Sequence, residues 1–236
     1  MLIYVFGVGT ACAQTQRKAE QDKGKAEKRE PKFEVTVSEA ATGKEAERLL
    51  KNAERLGEIR HQFSEQSRQC HSLLRDDKLK EAETVCLAAL KLVDQLDAPT
   101  ELERIGAHES VGEVMVGQQR YREALEYYSR ALDLGQRSDL TETDAELGQL
   151  YGNVAMTNHL LGDLDKALEM YRKAEKISQA AYKHFGEGAT DEWAVRTRQG
   201  YLKYLKTLLE YHQRAAEEAG DASEVEEVEK LRKSLP

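Results

Sequence analysis

Apolar residues recur at helical steps from residue 46 onward. Ala46, Leu49, Leu50, Ala53, Leu56, Ile59 and Phe63 fall at intervals of three and four, which puts them on one face of a helix. The stripe fits one long helix reaching Leu74, or two helices broken near Gly57. Ahead of it, Thr42-Gly43-Lys44-Glu45 has the spacing of a capping box, in which a hydroxyl and a carboxylate satisfy two free backbone N–H groups of the first turn. Further helix starts are marked at Thr100 with Glu103, at Thr141, at Thr190, and at Ser223 with Glu226. Stops or turns fall near Asp76-Asp77, Asp97-Ala98-Pro99, Gly117, Gly135, Gly162, Gly186-Gly188 and Gly220. Together these signals predict about eight helices joined by short loops. FEVTV at 33–37 alternates as a strand does, but no second segment offers to pair with it, so the expected class is all-α.

Three segments superpose without gaps: DKLKEAETVCLAALKL (77–92), QRYREALEYYSRALDL (119–134) and GDLDKALEMYRKAEKI (162–177). One column holds Leu79, Tyr121 and Leu164, the next Ala82, Ala124 and Ala167, then Cys86, Tyr128 and Tyr171, then Ala89, Ala131 and Ala174. The copies are 42 and then 43 residues apart, and a fixed period of this kind signals stacked helical hairpins. Alanines seven residues apart share a helix face and let a neighbouring helix approach closely, while the aromatic between them fills the remaining gap. The preceding helix of each copy carries a weaker pattern: Cys70 with Leu73, Val111-Gly112 with Met115, and Val154-Ala155 entered from Tyr151.

This series resembles the tetratricopeptide repeat family over residues 64–180, with a looser fourth copy beyond. Its period resembles the long-helix subclass found in kinesin light chain arrays. The resemblance implies a right-handed α-solenoid of antiparallel hairpins, with repeats at 64–97, 100–137 and 141–180. A capping pair follows at 190–234, where Val225 and Glu229 replace the expected small residue and aromatic. It further implies a concave groove lined by the first helix of each hairpin, here by Ser67, His71, Glu109, Glu113, Asn153 and Met156. Asn153 matches the family position whose amide holds a peptide backbone. Its counterparts are Arg68 and Ser110, so no asparagine ladder forms, and the basic set that grips C-terminal carboxylates is missing. With Glu109 and Glu113 central, a basic or mixed protein segment is the expected ligand. Cys70 and Cys86 fall on facing helices of the first hairpin, in the small and aromatic columns. They read either as a disulfide or as two buried thiols.

Charge refines the picture. The chain has 236 residues, a formal net charge of −8 and 33% charged residues, which argues against nucleic acid as a partner. Residues 17–32 carry seven Lys/Arg against four Asp/Glu, whereas 217–229 hold seven acids and no base. Residues 14–41 therefore read as a charged linker ahead of a helical domain over 42–236. The opening run MLIYVFGVGTACA ends in Ala11-Cys12-Ala13, which reads as a signal peptide of residues 1–13. No Lys or Arg precedes its apolar segment, and Cys12 offers lipidation as an alternative. The run is too short to span a bilayer. Export to a periplasmic or secreted destination is the expectation, against an N-terminal extension of a cytosolic protein.

Candidate chemistry adds little. The six histidines are scattered, His108-Glu109 lacks a second metal-ligating histidine, and Cys70 and Cys86 are too widely spaced for a metal clip. No phosphate loop or nucleophile elbow is present, so no cofactor, metal or catalytic residue is expected. Trp193, Tyr201, Tyr204 and Tyr211, with Arg196, Arg198, Lys203 and Lys206, form an aromatic, basic stripe. It serves either as a partner face or as packing on the preceding hairpin. The expected role is a non-catalytic adaptor or assembly scaffold binding a protein segment. The alternatives are a self-assembling envelope protein and a non-catalytic subunit of an envelope enzyme complex.

Overall fold

The structure is a computed structural model that describes residues 43–96, 99–138, 140, 144–184 and 192–236, without the Trp193 side chain. The signal run, the charged linker, the FEVTV segment, and the cap positions Thr42, Thr141 and Thr190 lie outside the described residues. Eight helices are present among those described: α1 (Gly43–Arg75), α2 (Leu79–Val93), α3 (Glu101–Gly117), α4 (Tyr121–Arg137), α5 (Ala145–Leu161), α6 (Leu164–His184), α7 (Glu192–Ala219) and α8 (Ala222–Ser234). The described residues contain no strand, and the class is all-α.

The four hairpin turns share one backbone design. Asp77, Gln119, Gly162 and Gly220 occupy the left-handed region, with φ of 57°, 62°, 81° and 72°. After each of them the next N–H reaches back five residues: Lys78 to the Leu73 carbonyl, Arg120 to Met115, Asp163 to Asn158 and Asp221 to Ala216. The left-handed residue itself bonds three residues back, as Gln119 does to Val116. This is the Schellman arrangement, which satisfies the last carbonyls of the first helix and reverses the chain. Gly117 is therefore not the second turn; it closes α3, and Gln119 carries the reversal. Gly135 is likewise no stop, because α4 runs on to Arg137.

Helix starts depend on side chains that can reach a free N–H. At α3 the capping box closes in both directions: Thr100 Oγ1 accepts from the Glu103 N–H at 3.1 Å, and Glu103 Oε2 accepts from the Thr100 N–H at 2.7 Å. At α8 the cap is Asp221, whose carboxylate accepts from the Glu224 N–H at 3.1 Å, so Ser223 is not the capping residue.

The chain divides into two compact units between Ser110 and Val111, within α3. In the first unit α1 and α2 pack along each other. Ile59, Phe63, Ala89, Val93, Leu96 and Ala107 form a buried cluster there. α1 is continuous through Gly57, and its buried residues, Ile59, Phe63, Cys70 and Leu73, all lie in its C-terminal portion. Leu49 and Leu50, earlier on the same helix, are exposed.

In the second unit α5 is enclosed by three helices. Gly135 of α4 admits Leu150, Gly148 lies against Ser178 of α6, and Gly152 lies under Tyr204 and Leu208 of α7. A methyl at Gly152 would overlap the Tyr204 hydroxyl, so the bare glycine lets α7 come this close to α5. Twelve α5 residues are buried as a result. Ala155, Ala167, Tyr171 and Ala174 continue into a core with Leu205, Leu208, Leu209 and Val228 of α7 and α8.

Candidate partner-binding face

The repeat columns form the scaffold. Ala82, Ala124, Ala131, Ala167, Tyr171 and Ala174 are fully buried, and Ala89 and Tyr128 nearly so. Burying an aromatic of this size contributes about 2–3 kcal/mol. Such residues cannot meet a partner, so any binding face must be built from other positions.

In the first unit Ser67, His71 and Glu109 are half-buried at the surface. The His71 Nε2 lies 3.0 Å from Ser110 Oγ, and that hydroxyl donates to the Gly106 carbonyl at 2.8 Å. With its proton committed to Gly106, the serine oxygen accepts from the Nε2–H of a neutral imidazole. Burial, and then the Arg75 charge, hold His71 below the usual histidine range, which keeps that neutral form at neutral pH. Ser67 and His71 come from α1 and Glu109 from α3, all on first helices of hairpins.

In the second unit Glu113 is half-buried on α3, and burial pushes its carboxyl up to about 7. Asn153 and Met156 correct the expectation from sequence. They are 2% and 1% exposed and offer no surface to a ligand. The cause is the enclosure of α5 by α4, α6 and α7 just described. Its polar residues turn inward on their own helix: Thr157 Oγ1 donates to the Asn153 carbonyl at 2.7 Å, and Asn158 Nδ2 to the Val154 carbonyl at 2.8 Å.

The aromatic stripe of α7 is largely packing. Tyr201 is buried, and the Tyr204 hydroxyl donates to the Gly148 carbonyl at 3.1 Å. Arg198 stacks over Tyr182 at 5.1 Å, and Arg196 pairs with Glu192 one turn back.

Sequence reasoning missed a buried charge cluster in the second unit. His212 of α7 is fully buried, with Nδ1 2.6 Å from Glu175 Oε1 of α6. Its Nε2 lies 2.9 Å from Glu224 Oε1 of α8, an ion-pair approach. Glu224 also receives a bidentate pair from Arg172 at 2.9 and 2.8 Å, and the Tyr171 ring stacks on the imidazole at 5.3 Å. The imidazole is thus hydrogen-bonded to one carboxylate through Nδ1 and approached by a second at Nε2. The cluster joins three helices and is structural. No local motif announces it, because its members sit on three different helices, α6, α7 and α8. Among the described residues no group of three His, Cys, Asp or Glu side chains is placed to hold a metal, and no helix is long and apolar enough to cross a membrane.

Cys70 and Cys86, each 1% exposed, have their Cα atoms 5.1 Å apart and their sulfurs at the bonding distance of 2.07 Å.

Several known proteins are similar to parts of this chain. The curated relative Protein FLUORESCENT IN BLUE LIGHT, chloroplastic, of Arabidopsis thaliana is 33% identical over 100 residues. That alignment covers 42% of this chain and only 30% of the relative's length. The crystal structure of the TPR domain of Arabidopsis FLU is 26% identical, covering 49% of this chain and 93% of that one, with a TM-score of 0.43. A putative kinesin light chain from Podosopora anserina, with nearly identical TPR-like repeats, is 13% identical over 73% of this chain and 93% of that one, at a TM-score of 0.46. The tetratricopeptide repeat family itself matches residues 103–180, the span that holds α3 to α6 and two of the three superposed segments. With the Ala–aromatic–Ala columns buried in register and the hairpin turns built alike, residues 103–180 of this chain match the tetratricopeptide repeat.

Proposed function

We propose that this chain is an exported, non-catalytic interaction module that binds a segment of another protein through polar positions on the first helices of its hairpins. The observation that carries the reading is the separation of roles. The repeat columns are spent on packing, while Ser67, His71, Glu109 and Glu113 stay partly exposed on the first helices. Preformed helices give such a segment a surface that needs little ordering of its own. Glu109 in the first unit and Glu113 in the second each favour a basic side chain. A cation brought to Glu113 would stabilise the carboxylate form that burial disfavours. Support for export comes from the apolar run ending at Ala13 and from two cysteines at bonding distance, a pairing that persists in oxidising compartments.

Crosslinking and pull-down from native extracts test this, comparing wild type with Glu109→Lys and His71→Ala. Both variants are expected to lose a partner that wild type retains. Recovery of the same partners at equal yield by all three would remove this face from consideration.

A further inference from the structure

The hairpins place the small residue of the first helix and the aromatic column of the second in spatial contact. In the second copy these are Gly112 and Tyr128, where a methyl added at Gly112 would stand 2.7 Å from the tyrosine ring. In the third copy Ala155 and Tyr171 share one buried cluster. In the first copy the same two columns hold Cys70 and Cys86, bonded to each other. The covalent bond therefore stands where the other hairpins have an aromatic seated on a small residue.

We propose that the first hairpin is redox-conditional: the Cys70–Cys86 bond replaces the missing aromatic contact, and reduction frees α1 from α2. Two thiols fill far less volume than a tyrosine ring, so the reduced hairpin keeps neither the cross-link nor the packing that holds its counterparts. The cluster of Ile59, Phe63, Ala89 and Val93 lies on one side of the cysteines, and on the turn side only the smaller pair Leu73 and Ala82 is buried, so the bond is the strongest link at the cysteine level. A dithiol carries out the reduction. Its thiolate attacks one of the two sulfurs, expelling the other as a thiolate and leaving a mixed disulfide. Its second thiol then displaces the protein sulfur, giving two cysteine thiols and an oxidised dithiol. Both sulfurs are buried, so attack waits on local opening and proceeds slowly in the native state. Loss of α1 docking also withdraws Ser67 and His71. That consequence for binding rests on the function proposed above, whereas the conformational change does not.

Hydrogen exchange on the full chain, read by mass spectrometry with and without a phosphine reductant, tests the inference. Release of the bond is verified by alkylation of both thiols. Peptides from α1 and α2 around the cysteines are expected to exchange roughly 100-fold faster after reduction, and peptides from α5 and α6 at an unchanged rate. Replacing the pair by the residues of the third copy, Cys70→Ala with Cys86→Tyr, is expected to restore protection and abolish the response to reductant. Should that ring fail to seat, the Cys70→Ser/Cys86→Ser protein serves instead and is expected to match the reduced wild type. Equal protection of α1 and α2 in oxidised, reduced and doubly serine-substituted protein would overturn the proposal. So would two alkylatable thiols in protein refolded in a glutathione redox buffer.

Discussion

Glu113 is the group whose replacement tests the electrostatic reasoning most directly. Its carboxyl moves from an ordinary value of 4.5 to about 7, and the cause is burial alone. A raised value in the folded state means that the native protein binds more protons than the unfolded chain between pH 4.5 and 7. Stability from this site is therefore full in acid and lost as pH rises through that window. Each tenfold change in proton affinity is worth about 1.4 kcal/mol, so the ionised form costs up to about 3 kcal/mol above pH 7. Residual water contact at this half-buried position brings the expected figure nearer 2 kcal/mol. Glu113→Gln keeps the shape and removes the ionisation. Urea unfolding followed by circular dichroism, at intervals from pH 4 to 8, should show the variant and wild type nearly equal at pH 4. Their curves should separate through pH 5 to 7, leaving the variant about 2 kcal/mol more stable above pH 7.5. Parallel profiles across the whole range would refute the account. A variant less stable at pH 8 would instead mean that the carboxylate makes a favourable contact.

Two other substitutions follow from named geometry. Gln119 holds a left-handed conformation that glycine adopts without steric cost, so Gln119→Gly should raise stability by about 0.5–1 kcal/mol in the same urea assay. Loss of stability there would mean that the Gln119 side chain matters more than its backbone. His212→Gln removes the ring that is bonded to the Glu175 carboxylate and stacked on Tyr171 and should cost about 2–3 kcal/mol. Hydrogen exchange should show the loss concentrated in α8, and uniform destabilisation would argue against the cluster as its fastener.

How far the fold could be read from sequence depends on whether a signal was local. The Thr100–Glu103 box closes as its spacing predicts because both partners sit within one turn of helix. Turns carry a weaker signal. Gly162 and Gly220 mark themselves by residue type, but Gln119 is not a residue that favours positive φ, and Gly117, two positions earlier, is the residue type that suggests a turn. At α8 the spacing of Ser223 and Glu226 points to the wrong cap, because Ser and Asp can both cap and only the backbone path decides which side chain meets a free N–H. The site was less legible. Ser67, His71 and Glu109 keep some exposure, but Asn153 and Met156 were assigned by repeat register alone and are enclosed.

The helical class, the 42- and 43-residue spacing and the residues that pack the repeats are legible along the chain, because helical periodicity and the alternation of small and aromatic side chains are written along a single helix. Which first-helix positions remain available and which carboxylates lie buried follow from the packing of the helices in three dimensions. That packing also brings His212 between Glu175 and Glu224. Those outcomes depend on helices that meet in space while lying tens of residues apart in the chain, and burial is a property of that meeting.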